Sequence, residues 1–600
     1  MTAPTPIPDS NVEAQYERRL ADRRAALAEA ERRHVRVSRV RLAIVAAAIV
    51  MAIAGGLSML PWLLIPFVAF LGIAVFHGVV LNARDRAASA VAFYERGLAR
   101  IRHMWMGHGR TGEGHRPADQ VFADDLDVFG RGSLFELLAT TRTQAGEETL
   151  ARWLLTPADA AEARSRQTAV RELAARLDLR EALAVLGDQT RTAVDAPVLR
   201  AWAQSPARLR GGMALRAGLA LLSAATIASL TIWLPTGVLG WAVLVGIALE
   251  GLVTLALRPR VEAVTEAVAE PAHHLDVLAS VLRILEAARF ESPRLERLCL
   301  ALGRERPASR EIATLSRFVA LLESHHNVVF ALPAALMLWT TQWAFVIEAW
   351  RARVGRHIPA WLALIGELEA LIAIGGFAAE HPGFVYPDIV DERPVMAATA
   401  LAHPTLAADA VANDVALSHR GLRLLIVSGS NMSGKSTWLR TIGTTVVLSW
   451  LGAPVRASTC RVSPLAIGAS IRVNDSLLDG RSRFFAEITR LKQIVDLVRA
   501  SGGAVLFLLD EILGGTNSHD RRAGAEALLT GLIDAGAIGL ATTHDLALAA
   551  IADRLAGRAA NVHFADEFTD GVLRFDYRLA PGPVQTSNAL ALMRSIGLEV

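Results

Sequence analysis

Ten residues, SGSNMSGKST at 428–437, hold one of only two lysines in a chain whose positive charge is otherwise arginine; the other is Lys492. Within them Gly429, Ser430, Asn431, Met432, Ser433, Gly434, Lys435 and Ser436 fit G-x-x-x-x-G-K-[ST], and Thr437 follows. Glycines in such a turn let backbone N–H groups close around phosphate oxygens, and a helix opening behind it adds its positive dipole end. Lys435 would then reach the β- and γ-phosphates while Ser436 holds Mg²⁺. A compact ammonium on a flexible stem suits this clamp where arginine's planar fork does not. The chemistry indicated is binding of a nucleoside triphosphate, ATP with Mg²⁺.

Three further stretches extend that chemistry to hydrolysis. AVLFLLDE (504–511) is an apolar run ending in Asp510 and Glu511, 75 residues beyond Lys435. Asp510 is placed to hold the Mg²⁺ shell, and Glu511 to orient or deprotonate the attacking water. AIGLATTHDLAL puts His544 at the end of another apolar run, within reach of a γ-phosphate. Between loop and acidic pair lies NDSLLDGRSRFFAEITRLKQIVDLV, where Gly480, Arg481 and Ser482 precede apolar residues at helical spacing. That offers a second helix N-terminus to an anion. The order resembles ABC-type ATPases, in which such a loop closes on the nucleotide of a partner subunit. Ser482 would then act in trans, and a homodimer would build two composite sites.

The elements that must position these groups follow from the pattern around them. From about residue 420, short β-like runs alternate with helical segments, as in a mostly parallel sheet with crossover helices. Upstream the pattern is helical. Residues 42–83 contain no Asp, Glu, Lys or Arg, and one helix of that length would span ~63 Å, about twice a hydrocarbon core. Gly55, Gly56, Ser58 and Pro61 supply a break, so the run reads as two membrane helices, roughly 42–60 and 62–82. Residues 217–249 form a second charge-free run split at Pro235-Thr236-Gly237, a hairpin of about 215–234 and 237–257. A cleaved signal peptide is not expected, since its apolar core would be far shorter and would not begin forty residues in. VVFALPAALMLWTTQWAFVI (328–347) reads instead as a buried helix of the soluble part, since an odd span would move the ATPase across the membrane.

Residues 1–41 carry nine arginines against six acids, net +3, which is the net charge of the whole chain. The basic character therefore belongs to a short arm and argues against a broad nucleic-acid-binding face. By the positive-inside rule the arm stays in the cytoplasm, and two hairpins return every large polar segment there. The protein is then expected in the inner or plasma membrane, multi-pass, with both termini and the ATPase cytoplasmic. Two cysteines, Cys299 and Cys460, make no disulfide framework or metal cluster. His103, His108 and His115 read as a solvated loop. Glu250, about two turns inside the fourth membrane helix, is a functional candidate by its depth; the plainer reading, which is preferred, is that it snorkels or meets Arg216 near the neighbouring helix end.

SGSNMSGKST, DSLLDGRSRFFAEI, LLDEILGGTNSHD, ATTHD and GAPVRA together resemble the MutS family of DNA mismatch repair ATPases. Outside the ATPase, ADLDVFGRGSLFELLATTRTQAGEETLARWLLTP resembles the start of the MutS core, although this chain reads ADDLDVFG at 123–130. GELEALIAIGGFAAEHPGFVYPDI (366–389) resembles the end of its lever helices, and PGPVQTSNALALMRSIGL its carboxy-terminal dimer-contacting helices. The resemblance covers about 120–210 and 258–600.

It implies a mixed fold: α-helical membrane hairpins and a helical MutS-like core and lever, followed by an α/β ABC-type P-loop ATPase domain. The expected order is a basic helical arm (1–41), hairpin 1 (42–82), a cytosolic segment holding the start of the core (83–213), hairpin 2 (214–257), helical core and lever (258–400), and ATPase (401–600). There is no room for the family's mismatch-reading domain. Phe93-Tyr94-Glu95 matches its reading motif in letters alone, and Leu513-Gly514 stands where members usually have Gly-Arg. The implied function is ATP-dependent binding of DNA, mismatched or of unusual structure, by a membrane-anchored dimer. The alternative is an ATP-gated membrane organiser acting on a protein partner without DNA; half of an ABC-type transporter fits less well.

Overall fold

In a computed structural model of the full chain, the arginine-rich arm and the first apolar run are one element, the helix Asp9–Gly55. No glycine or proline interrupts it before its last residue, so the change from charged to apolar side chains alters its surroundings and leaves the backbone helical. The structure describes residues 9–55, 62–117, 120–187, 196–206, 209, 212–303, 307–326, 330–430, 432–472, 483–514, 517–544, 546–555, 557–569 and 572–584. The other three expected membrane helices also overrun or shift their boundaries, as Leu64–Ile101, Gly212–Thr236 and Gly240–Ala287, the last of them continuing through Pro259 and Pro271.

Five helical stretches among the described residues are long and apolar enough to cross a membrane by length and composition. Burial separates them. The most apolar windows of the four hairpin helices are 0%, 11%, 17% and 17% buried, whereas that of 339–380 is 72% buried within the protein. In Trp339–Val354 the inward residues include Thr341, Phe345, Ile347 and Trp350.

The chain divides into two compact units, residues 1–140 with 148–180 and 370–600, and residues 141–147 with 181–369. In the second unit, Gly212–Thr236 and Gly240–Ala287 form a hairpin that turns through Gly237 and Leu239, both at positive φ. The long second arm continues past the apolar run to pack on Ala308–Glu323 and Trp339–Val354. Arg351, buried and paired with Glu348, donates to the carbonyls of Trp202 and Pro206, satisfying groups at the end of Ala196–Gln204.

In the first unit the arm is docked rather than free. Tyr16 and Leu20 pack with Val91, Tyr94 and Leu98 of Leu64–Ile101, with the Tyr16 and Tyr94 rings edge to face at 5.5 Å. Tyr94 of the Phe-Tyr-Glu triplet is thus a core residue. Arg100 makes a two-pronged, buried ion pair with Glu380 at 2.6 Å through each nitrogen, tying the second helix to the end of Ile358–Glu380.

Among the described residues ten strands follow: β1 (Asp388–Ile389), β2 (Val395–Leu401), β3 (Asn413–Ser418), β4 (Leu424–Ser428), β5 (Thr459–Val462), β6 (Ala466–Ser470), β7 (Val505–Leu509), β8 (Ile538–Thr543), β9 (Ala559–Thr569) and β10 (Val572–Pro581). They form a four-stranded sheet, β1-β5-β2-β3, and a six-stranded sheet, β10-β9-β4-β8-β7-β6. In the larger sheet every pair is parallel except β9 with β10. Strands β4, β7 and β8 are buried at every residue, which is why their sequences are continuous apolar runs without alternation. Helices Lys435–Trp450, Arg483–Ala500 and Ser518–Asp534 are the crossovers.

Candidate functional site

Neighbouring parallel strands β4, β8 and β7 end at one edge of the sheet, and the loop after each carries one part of the site. After β4 the chain turns through Gly429 to Gly434, whose φ of 102° is open to glycine at no cost, and enters Lys435–Trp450. Lys435 is buried, and its Nζ donates to the carbonyls of Gly429 at 2.8 Å and Ser430 at 2.7 Å. The ammonium thus rests on its own loop, on neutral acceptors that an anionic phosphate outcompetes.

Ser436 Oγ donates to Asp510 Oδ2 at 2.5 Å, bringing together two hard oxygen ligands from residues 74 apart. The other Asp510 oxygen accepts from Thr542 Oγ1, and that hydroxyl in turn accepts the Glu511 N–H at 3.0 Å. Thr542 therefore locks β7 to β8 directly below the acidic pair. Glu511, at a positive φ of 49°, turns away from Asp510, and its Oε1 meets His544 Nε2 at 2.6 Å. A cavity of about 450 Å³ opens beside these groups, lined among others by His403, Lys435, Ser436, Glu511, Phe564 and Tyr577.

Sequence reading missed a second ring of charge around this site. Buried Asp125 accepts the backbone N–H groups of Ile471 at 2.9 Å and Arg472 at 2.6 Å, where the chain leaves β6. Its carbonyl accepts from Arg440 Nε at 2.9 Å, and Asp127 pairs with both Arg440 and Arg472. Burial pushes the Asp125 carboxyl above the usual carboxylate range, although the two N–H bonds pull the other way. His403 Nε2 lies 3.3 Å from Thr444 Oγ1, and burial together with Arg440 and Arg456 pushes its imidazole down to about 4. ADDLD carries no local signal of these roles, because its partners are some 340 residues away. Thr542 was nearer to being legible, two residues before His544 in the same strand run.

Of the residues expected to act, Gly429, Ser430, Met432, Ser433, Gly434, Lys435, Ser436 and Thr437 lie on this loop and helix, and Asp510, Glu511 and His544 at the adjoining strand ends. Asn431 and the segment with Gly480, Arg481 and Ser482 lie outside the described residues, as do the carboxy-terminal residues beyond 584. Glu250 does not meet Arg216, which donates to Gln342 Oε1 instead.

Residues 425–599 match the family model of MutS domain V, and residues 120–231 match that of MutS domain III. A stretch of 238 residues is 34% identical to the DNA mismatch repair protein MSH3 of Phaeosphaeria nodorum, covering 38% of this chain and 21% of that one. Another of 246 residues is 30% identical to the DNA mismatch repair protein MutS of Brevibacillus brevis, covering 40% and 28%. With the Thermus thermophilus MutS the identity is 30% over 239 residues, covering 39% and 28%. The chain thus spans between about a fifth and under a third of the length of these curated relatives.

Proposed function

Because this chain belongs to the MutS family, we propose that it is a membrane-anchored, dimeric ATPase whose ATP cycle controls binding to mismatched or otherwise unusual DNA. The observation that carries the ATPase reading is the convergence, at three adjacent strand ends, of Lys435, the Ser436–Asp510 pair and the Glu511–His544 pair. Ser436 and Asp510 supply the hard oxygens that fit Mg²⁺, which when bound neutralises charge on the β- and γ-phosphates. Lys435 exchanges its loop carbonyls for phosphate oxygens. Glu511, oriented by His544, holds the attacking water and takes its proton. Ser482 closes the site from a second protomer.

Membrane anchoring is supported by the outward faces of the hairpins. Leu42, Ile49, Ile53, Phe67, Leu71 and Val75 are each more than half exposed, as are Leu221, Trp241, Leu244 and Leu252. Such continuous apolar surface needs cover, and lipid fits helices of this length flanked by Arg36, Arg39, Arg84 and Arg86. The ATPase then lies in the cytoplasm, where ATP is.

The experiment is binding of the full-length Glu511→Gln protein in nanodiscs to homoduplex, mismatched and branched DNA, with and without ATP, at two salt concentrations. The expected result is an ATP-dependent preference for one DNA structure, lost in Lys435→Ala. Binding that ignores both ATP and DNA structure, or no binding, refutes the DNA part and points to a protein partner at the membrane.

A further inference from the structure

Glu250 is the carboxyl that the ATPase cycle leaves unused, and the second hairpin is built around it. Counting at 1.5 Å per residue, it lies about 15 Å along its helix from Gly240 and about 12 Å from Arg258, near the middle of the apolar run. Every third or fourth residue of that helix faces inward: Val243, Gly246 and Glu250 are buried, while Leu244, Val245, Ile247 and Leu249 are exposed. The facing helix answers with buried Leu219, Ser223 and Thr226.

The two seams touch at Gly246, where an added Cβ would fall 2.4 Å from Thr226 Oγ1. The helices run antiparallel. Four residues from Gly246 toward Arg258 reach Glu250, and three from Thr226 toward Arg216 reach Ser223, so these two stand at one level. The Glu250 carboxyl meets the Thr226 hydroxyl. Its Oε1 and the Ser223 Oγ, both on side chains of residues only 5% exposed, have no hydrogen-bond partner among the described residues.

Donors are short at this point. Thr226 Oγ1 already donates to its own helix, at Leu222 O, 3.1 Å away. The nearest arginines along the two helices are engaged elsewhere, Arg216 with Gln342 and Arg258 with Glu262. A carboxylate with unmatched acceptors in an apolar interior is strongly disfavoured unless a positive charge joins it. One carboxylate balances one positive charge, and a divalent ion would leave a net charge in the hydrocarbon.

We propose that Glu250 Oε1, Ser223 Oγ and Thr226 Oγ1 bind a dehydrated monovalent alkali cation inside the second hairpin. The site rests on the membrane reading given above. It satisfies both orphan oxygens at once, and it makes this hairpin an ion-sensitive element.

The test is labelling of Glu250 by dicyclohexylcarbodiimide, which attacks protonated carboxyls in apolar surroundings, on the full chain in liposomes with peptide mass spectrometry as readout. In choline buffer Glu250 labels; sodium or potassium at about ten times its Kd slows labelling about tenfold. Ser223→Ala weakens that protection while labelling persists, and Glu250→Gln labels nowhere in this peptide. Labelling that no alkali cation slows, or no labelling in choline, overturns the site. Alkaline carbonate extraction of the same liposomes separates the two readings. If the protein washes off, the membrane reading falls and the site with it; if it stays while labelling goes unprotected, the site alone falls.

Discussion

Replacing Asp125 tests whether the segment around it holds the chain leaving β6 in place beside the candidate site. One oxygen, Asp125 Oδ1, satisfies two consecutive backbone N–H groups, Ile471 and Arg472, at a residue 1% exposed. Asp125→Ala strands both donors, each at about 1–3 kcal/mol. If the pair then opens locally, each amide exchanges with solvent roughly 5- to 150-fold faster, at 1.36 kcal/mol per decade. Asp125→Asn keeps the accepting oxygen and removes the charge. Burial raises this carboxyl's folded-state value, so its stabilising share is greatest at low pH and is lost as pH rises through that value. At neutral pH the amide therefore loses little. Hydrogen-exchange mass spectrometry resolving 466–472 is the assay, with ATP turnover measured in parallel. Asp125→Ala is expected to speed exchange there and to lower kcat more than nucleotide affinity, since Lys435 and its loop are held separately. Unchanged exchange at 471–472 in a folded Asp125→Ala protein would refute the argument.

Glu511→Gln should bind ATP normally and hydrolyse it about 10²–10⁴-fold more slowly, as expected for loss of a general base; undiminished single-turnover hydrolysis would mean that another group holds the water. Mixing Lys435→Ala with Ser482→Arg protomers should restore one working site per dimer, and a mixture that stays inactive would exclude closure in trans. His403 is held neutral, with its imidazole pushed from 6.5 to about 4, so the unfolded chain takes up its proton first as pH falls. Its contribution to stability is complete above about pH 6.5 and is lost toward pH 4. Thermal melting across that window should show a shallower acid loss in His403→Gln, and equal slopes would remove His403 from the account.

Where most of the candidate residues lie was legible, because the pattern that marks them is local. A phosphate loop needs glycines, a lysine and a hydroxyl within ten residues, and SGSNMSGKST contains them in order. The acidic pair and His544 were legible as ends of apolar runs, since buried parallel strands leave continuous hydrophobic signatures. The hairpins were legible from runs without charge, and their turn at Pro235–Gly237 from residues that end helices. Partnership was not legible. That Ser436 meets Asp510, that Thr542 bridges Asp510 to Glu511, and that Asp125 caps the exit from β6 all depend on which strands become neighbours. The helices run on beyond the apolar runs, Asp9–Gly55 on one side and Gly240–Ala287 through Pro259 on the other, because a helix end is set by the backbone while a change in hydropathy marks only a change of surroundings. The same reason separates Trp339–Val354 from the hairpin helices: similar apolar content, but packed against protein. By itself the sequence determined where the candidate segments lie and which helices are apolar. Only the tertiary structure decided which polar groups face each other, because a side chain's partner is chosen by packing across hundreds of residues.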